Sequence, residues 1–176
     1  VKIGGEVKAF DAGQYINARE AKRMDRFTQM ATASAVQAVK DSGLNFEKED
    51  KHCVGVIVGT GIGGIKEIED QHIRLLKKGP RKVSPFCVPK LMGNAACGCI
   101  SIEYGLKGPN LCVVTACASA SHAIGEAYWN VLAGRSDICI TGGSEAALTP
   151  VGLASFCSLK ALSTRNDEPQ RASRPF

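Results

Sequence analysis

Residues 113–125 read VVTACASASHAIG, and this stretch decides how the rest of the chain is read. A β-branched run, Leu111 to Val114, stops at a crowd of small residues, and an Ala-rich helical pattern follows at once. The pattern predicts a strand, a tight turn and a helix, with Cys117 at the corner. A thiol there lies over the amino end of a helix, where free N–H groups and the macrodipole favour an anion and draw a thiol toward thiolate. Ala116, Ala118, Ser119, Ala120 and Ser121 add almost no bulk, which leaves room for an extended substrate. The competing reading is a small, inert cysteine packed at a strand end.

The composition bounds the class. The chain has 176 residues, 44% hydrophobic and 6% aromatic, with 19 glycines, and this predicts an α/β domain packed with small and aliphatic side chains. No apolar run approaches the length of a membrane span and no leader is visible, so a cytoplasmic protein without membrane contact is expected. The eight cysteines, Cys53, Cys87, Cys97, Cys99, Cys112, Cys117, Cys139 and Cys157, include no CxxC pair. They are expected to be reduced, most of them in the core, and no metal or cofactor is implied. The net charge of +5 is concentrated: Arg19, Lys22, Arg23 and Arg26 fall within two helical turns, and Lys77, Lys78, Arg81 and Lys82 surround Gly79 and Pro80. Without aromatic interleaving or a nucleic-acid motif, these clusters point to a folded acidic partner rather than to nucleic acid.

In chain order, Asn17 and Glu20 have capping-box spacing and open a short basic helix through Met24. Phe27, Met30, Ala31, Ser34, Ala35, Ala38 and Val39 form one helical face ending at Gly43. Val54 to Val58 is a continuous apolar run, hence a strand buried on both faces of a parallel sheet. It enters GTGIGG, residues 59–64, and then a helix to about Leu76. That turn matches the GxGxxG dinucleotide fingerprint, but the acidic residue expected about 20 positions on is missing from the basic KKGPRKVSPF. These glycines are therefore read as letting backbone pass close to something else. A helix from about Lys90 to Tyr104, with Gly93, Ala95, Ala96 and Gly98 implying tight packing, precedes the central strand. The helix after Cys117 ends at Gly134, Asp137 to Thr141 is another buried strand, and Val151 to Phe156 is a short helix before a polar tail.

TACASASHAIG, GGSEAALTPVGLASF, KALSTRND and ASRPF, with GTGIGG and VSPFCVPKLMGNAACG upstream, closely resemble the elongating β-ketoacyl-acyl-carrier-protein synthases of fatty-acid synthesis. The likeness spans almost all of residues 1–176 with the motifs in order. It implies a thiolase-like α/β fold, built of two similar βαβαβαββ halves with buried sheets covered by helices, usually as a homodimer. The chain is expected to be most of the N-terminal half, incomplete at both ends, lacking the first strand and the second half.

On that resemblance Cys117 matches the acyl-accepting nucleophile, and its N–H one of two oxyanion-hole donors. Ile62 corresponds to the gate of the acyl pocket, Phe156 to another wall, and Cys87 and Val88 to the stretch that reaches a neighbouring subunit's pocket. Phe156 and Val88 fit a plain core role equally well. Arg19, Lys22, Arg23, Arg81, Lys82 and Lys160 match positions that receive acyl carrier protein in its acyl and malonyl forms. Cys87 stands where many relatives have an aromatic residue. The two histidines and the lysine used for decarboxylation are expected beyond Phe176, so the isolated segment is expected to lack condensation activity. His122, five positions past Cys117, is off helical register with it and is not read as the base. The alternatives within the fold are a thiolase or initiating synthase, a polyketide ketosynthase and a noncatalytic chain-length subunit. The STRND and ASRPF motifs speak against the first, and retention of Cys117 against the last.

Overall fold

A computed structural model describes residues 1–175. The chain divides into two compact units, one formed by residues 11–146 and the other by residues 1–10 with 147–176.

The larger unit is a three-layer α/β sandwich around a parallel sheet of β1 (Val54–Gly59), β2 (Asn110–Val113) and β3 (Ile138–Gly143), in the order β2-β1-β3. Every residue of β1 is buried, as the uninterrupted apolar run predicts for a central strand. Its side chains alternate: Val54, Val56 and Val58 pack with Phe27, Ala31, Ala35, Phe46, Ala96, Cys97 and Ile100. Ile57 faces the other way, onto Ala123 and Ala127. The first group comes from α2 (Arg26–Ser42), α5 (Ala95–Tyr104) and, for Phe46, the loop after α2, and the second from α6 (Ser119–Leu132), so the helix after Cys117 has a face of the sheet to itself.

Helix α1 (Ala18–Ala21) is a single turn capped by the Asn17 side chain, shorter than the predicted helix through Met24. Helix α2 starts at the Asp25 cap and stops at Gly43, whose φ of +69° is the left-handed stop that a glycine supplies most readily. Its buried stripe is rotated from the predicted face: Thr28 and Thr32 are buried, while Ser34 and Ala38 stay exposed. The glycine-rich loop leads from β1 into α3 (Ile65–Lys78). The helix expected over residues 90–104 is two, α4 (Cys87–Leu91) and α5, separated at 92–94. The break lets Gly93 lie beside Thr60 and Cys112; Gly98, by contrast, has open space about it rather than the expected tight contact.

Two other expectations are corrected. The strand at β3 is only partly buried, and β2 exposes Leu111, because both lie at the edges of the sheet. All eight cysteines are free, but only Cys97 is fully buried; most of the others are partly covered and Cys117 is exposed.

In the smaller unit, Thr149 caps α7 (Pro150–Ser158) by accepting the Gly152 N–H at 3.0 Å, and Pro150 occupies the first turn, where its missing N–H costs nothing. Lys2 N–H donates to the Asn166 side chain at 2.7 Å, joining the two segments of this unit.

Candidate active site

Cys117 lies in a single 3₁₀ turn, Ala116–Ala118, between β2 and α6, and is exposed. The turn is sharp enough to force Ala116 to a φ of +52°, a conformation that costs a non-glycine residue about 1–3 kcal/mol. Ser119 holds it there. Its buried hydroxyl accepts the Thr115 N–H at 2.9 Å and has two carbonyls within donating reach, Ala116 at 2.6 Å and Thr60 at 3.2 Å. The His122 ring reaches the Thr115 hydroxyl at 2.8 Å.

The sheet is cut to admit this turn. Gly59 and Gly143 stand opposite one another at the ends of β1 and β3. A Cβ on Gly59 would overlap the Ser119 carbonyl, and one on Gly143 would collide with Ala120. Only a glycine pair lets the first turn of α6 settle against the carboxyl ends of the strands.

The glycine-rich loop does bind an anion, and that anion belongs to the chain itself. Glu145, two residues past β3, accepts the Gly61 N–H at 2.7 Å and the Ile62 N–H at 3.1 Å on one oxygen, and the Thr60 hydroxyl at 3.2 Å on the other. Successive amides form a concavity suited to negative charge, which is why the sequence imitates a phosphate loop. A Cβ on Gly61 would come within 2.7 Å of the Glu145 carboxylate and 3.5 Å of the Ala116 carbonyl, so loop, carboxylate and Cys117 turn are neighbours. Gly63 and Gly64 lie against the backbone of Lys90 and Leu91. The sequence reading missed Glu145, although the GGSE that ends β3 and leaves it was the available signal.

Other predicted residues fall in place separately. Ile62 is exposed on this loop. Val88, on α4, is 62% exposed in this chain, and Cys87 beside it is half-buried. Helix α4 is anchored by a buried polar network that sequence reasoning also missed. Lys90 pairs with buried Glu67 at 3.0 Å, Gln71 donates to Glu67 at 2.9 Å, and the Ser84 N–H donates to Gln71 at 2.8 Å. Asp25 accepts the Glu67 N–H at 3.0 Å, and burial raises its carboxyl above the ordinary range against the pull of the amides it accepts from Phe27 and Glu67.

Arg19, Lys22, Arg23, Arg81 and Lys82 are all exposed. The Arg23 guanidinium lies 5.2 Å from the ring centre of Phe86, the residue before α4, and 3.2 Å from Glu20. Phe156 and Lys160 belong to the smaller unit, where both are exposed and Lys160 has a φ of +55°.

Burial pushes Cys97 and Cys139 up to about 11 and also raises Cys112. Cys97 Sγ donates to the Leu111 carbonyl at 3.0 Å, which marks it as a packing residue.

Comparison with known proteins identifies the family. The chain is 50% identical over 175 residues to a protein of Synechocystis named 3-oxoacyl-[acyl-carrier-protein] synthase 2, an alignment that covers 99% of this chain and 42% of that protein. A β-ketoacyl synthase structure from Burkholderia phymatum superposes with a TM-score of 0.83 at 30% identity, over 95% of this chain and 41% of that one. A type II PKS ketosynthase in complex with its acyl-carrier protein gives a TM-score of 0.83 at 26% identity, over 89% and 46%. The chain thus spans less than half the length of these relatives. The family described as "Beta-ketoacyl synthase, N-terminal domain" matches residues 2–176, and the chain belongs to that family.

Proposed function

We propose that the full-length protein is a 3-oxoacyl-acyl-carrier-protein synthase of fatty-acid elongation with Cys117 as its nucleophile. The observation that carries this reading is an exposed thiol on a strained turn, in a chain 50% identical to a relative so named. The Cys117 thiolate attacks the thioester carbonyl of an acyl carrier protein. The carrier thiol leaves, and an acyl-enzyme remains. Malonyl carrier protein then loses carbon dioxide, and the resulting carbanion attacks the acyl-enzyme, forming the new carbon-carbon bond and releasing Cys117. Residues outside this chain serve the decarboxylation.

The exposed charges of Arg19, Lys22, Arg23, Arg81 and Lys82 support docking of an acidic carrier protein, and the complex of a related ketosynthase with its acyl-carrier protein supports the same partner. On the family likeness, Lys160 is assigned to carrier binding and Phe156 to the acyl chain. Exposed apolar residues on α6 (Tyr128, Trp129, Leu132) and Leu111 on edge strand β2 support further burial, by the second half and by a homodimer in which Cys87 and Val88 reach the neighbouring pocket. Free thiols throughout the described residues fit a reducing cytoplasm. A polyketide ketosynthase is the second reading, favoured by the polyketide neighbour at 26% identity and outweighed by the 50% relative.

Intact-mass spectrometry of the full-length protein with an acyl-carrier thioester is expected to show one acyl adduct that disappears in Cys117→Ser. An adduct that survives the substitution places the nucleophile elsewhere.

A further inference from the structure

We infer that Glu145 is a positioning residue for the acyl site: its carboxylate fixes the loop that carries Ile62 and thereby sets which acyl chains reach Cys117. The inference rests on the synthase reading proposed above, and it is independent of the identity of the residues outside this chain.

Three features lead to it. The carboxylate is committed to the loop: both oxygens are engaged, by two successive amides and one hydroxyl, and among the described residues it forms no ion pair. Such charge-assisted bonds are about twice as strong as neutral ones. Ile62, in turn, is 47% exposed and, among the described residues, belongs to no buried core cluster, so the bond from its own N–H to Glu145 fixes where its side chain starts. Lastly, the loop is tied to the nucleophile's turn, because the Thr60 carbonyl lies within reach of the Ser119 hydroxyl that holds Thr115 and Ala116. Glu145 therefore acts on the reaction through Ile62 and Thr60, the residues it bonds.

The loop's remaining anchors do not replace this one. Thr60 Oγ1 accepts the Gly63 N–H at 3.2 Å and the Gly64 N–H donates to the Leu91 carbonyl at 3.1 Å, which secures the loop past Ile62. Gly61 and Ile62 themselves are held by the carboxylate. Without it the loop stays attached at both ends, and the gate between them is freed.

The test uses the full-length protein and compares kcat/KM for acylation of Cys117 by dodecanoyl and butyryl carrier protein. In Glu145→Ala the dodecanoyl-to-butyryl ratio is expected to rise about ten-fold, because a released Ile62 no longer keeps the gate position that the family likeness gives it. Glu145→Gln keeps one oxygen for the two amides and presents its NH2 to Thr60 Oγ1, so it should restore the ratio to within about three-fold of the parent. A fall of equal size for both chain lengths assigns Glu145 a purely structural role and overturns the inference, as does an unchanged ratio. Should the alanine variant fail to fold, Glu145→Asp, which withdraws the charge by one methylene, must show the same rise or the inference fails. A parent protein that takes up no acyl group at all sinks the synthase reading itself, a result distinct from an acylated protein whose ratio does not move.

Discussion

Ser119→Ala removes a single oxygen from the turn that presents Cys117, and its consequence can be worked from the bonds that oxygen makes. The hydroxyl is buried, accepts the Thr115 N–H at 2.9 Å and donates toward the Ala116 and Thr60 carbonyls. Losing the acceptor leaves a partly buried amide without that partner, at about 1–3 kcal/mol, and losing the donated bond adds about 1 kcal/mol. The total of about 2–4 kcal/mol is expected to lower the melting temperature by several degrees, at about 2–4 °C per kcal/mol for a chain of this size. The chemical effect should exceed the thermal one. Ala116 keeps its φ of +52° against a preference for the right-handed region, and the Ser119 bonds are what oppose that preference. When they go, the turn relaxes and the thiol moves from its line of attack, so Cys117 acylation is expected to slow about 10- to 100-fold. Thermal melting and single-turnover acylation, followed by intact mass, measure the two effects. Acylation at the parent rate in a Ser119→Ala protein would refute the reasoning, because the strained turn would then be held by something other than this hydroxyl.

Glycines within the same unit should respond oppositely to alanine. Gly59→Ala drives a Cβ into the Ser119 carbonyl and is expected to abolish soluble expression, whereas Gly98→Ala fills open space in α5 and should raise stability by about 0.5–1 kcal/mol, read from thermal midpoints. Lys82→Glu is expected to slow acylation by acyl carrier protein about ten-fold at low salt, with the deficit shrinking as salt rises, while a small acyl thioester reacts at the parent rate; equal losses with both donors would refute carrier docking at this residue. Cys97 and Cys139 stay protonated in the fold up to about 11 but ionise near 9 when unfolded, so above that lower value the unfolded state holds fewer protons and stability falls as pH rises toward 11. The drop in unfolding midpoint between pH 8 and 10.5 should be smaller in Cys97→Ala/Cys139→Ala than in the parent.

Much of this arrangement was legible in the sequence because it depends on local chemistry. The uninterrupted apolar run of β1 announced a strand covered on both sides, and the layers of α2, α5 and α6 confirm it. The small residues around Cys117 announced a turn close to a helix start, where it lies. What stayed hidden were meetings between residues distant in the chain. Residues 92–94 break a continuous helical pattern because Gly93 must pass Thr60 and Cys112, and no local propensity encodes that contact. The half-covered state of β3 follows from its position at a sheet edge, which hydrophobicity alone does not reveal.

The glycine-rich loop shows most directly how one signal can carry two meanings. GTGIGG specifies a backbone whose amides converge on negative charge, and the loop meets that specification. The pattern does not specify whose charge it is. A nucleotide phosphate and the chain's own Glu145, 84 residues from Gly61, satisfy the same amides. Once Glu145 occupies them, phosphate at that point would meet a carboxylate oxygen already bonded to both N–H groups, and the two anions would repel. The fingerprint is therefore closed to a dinucleotide by an internal anion, and its geometry is spent on holding Thr60 and Ile62 beside the turn of Cys117.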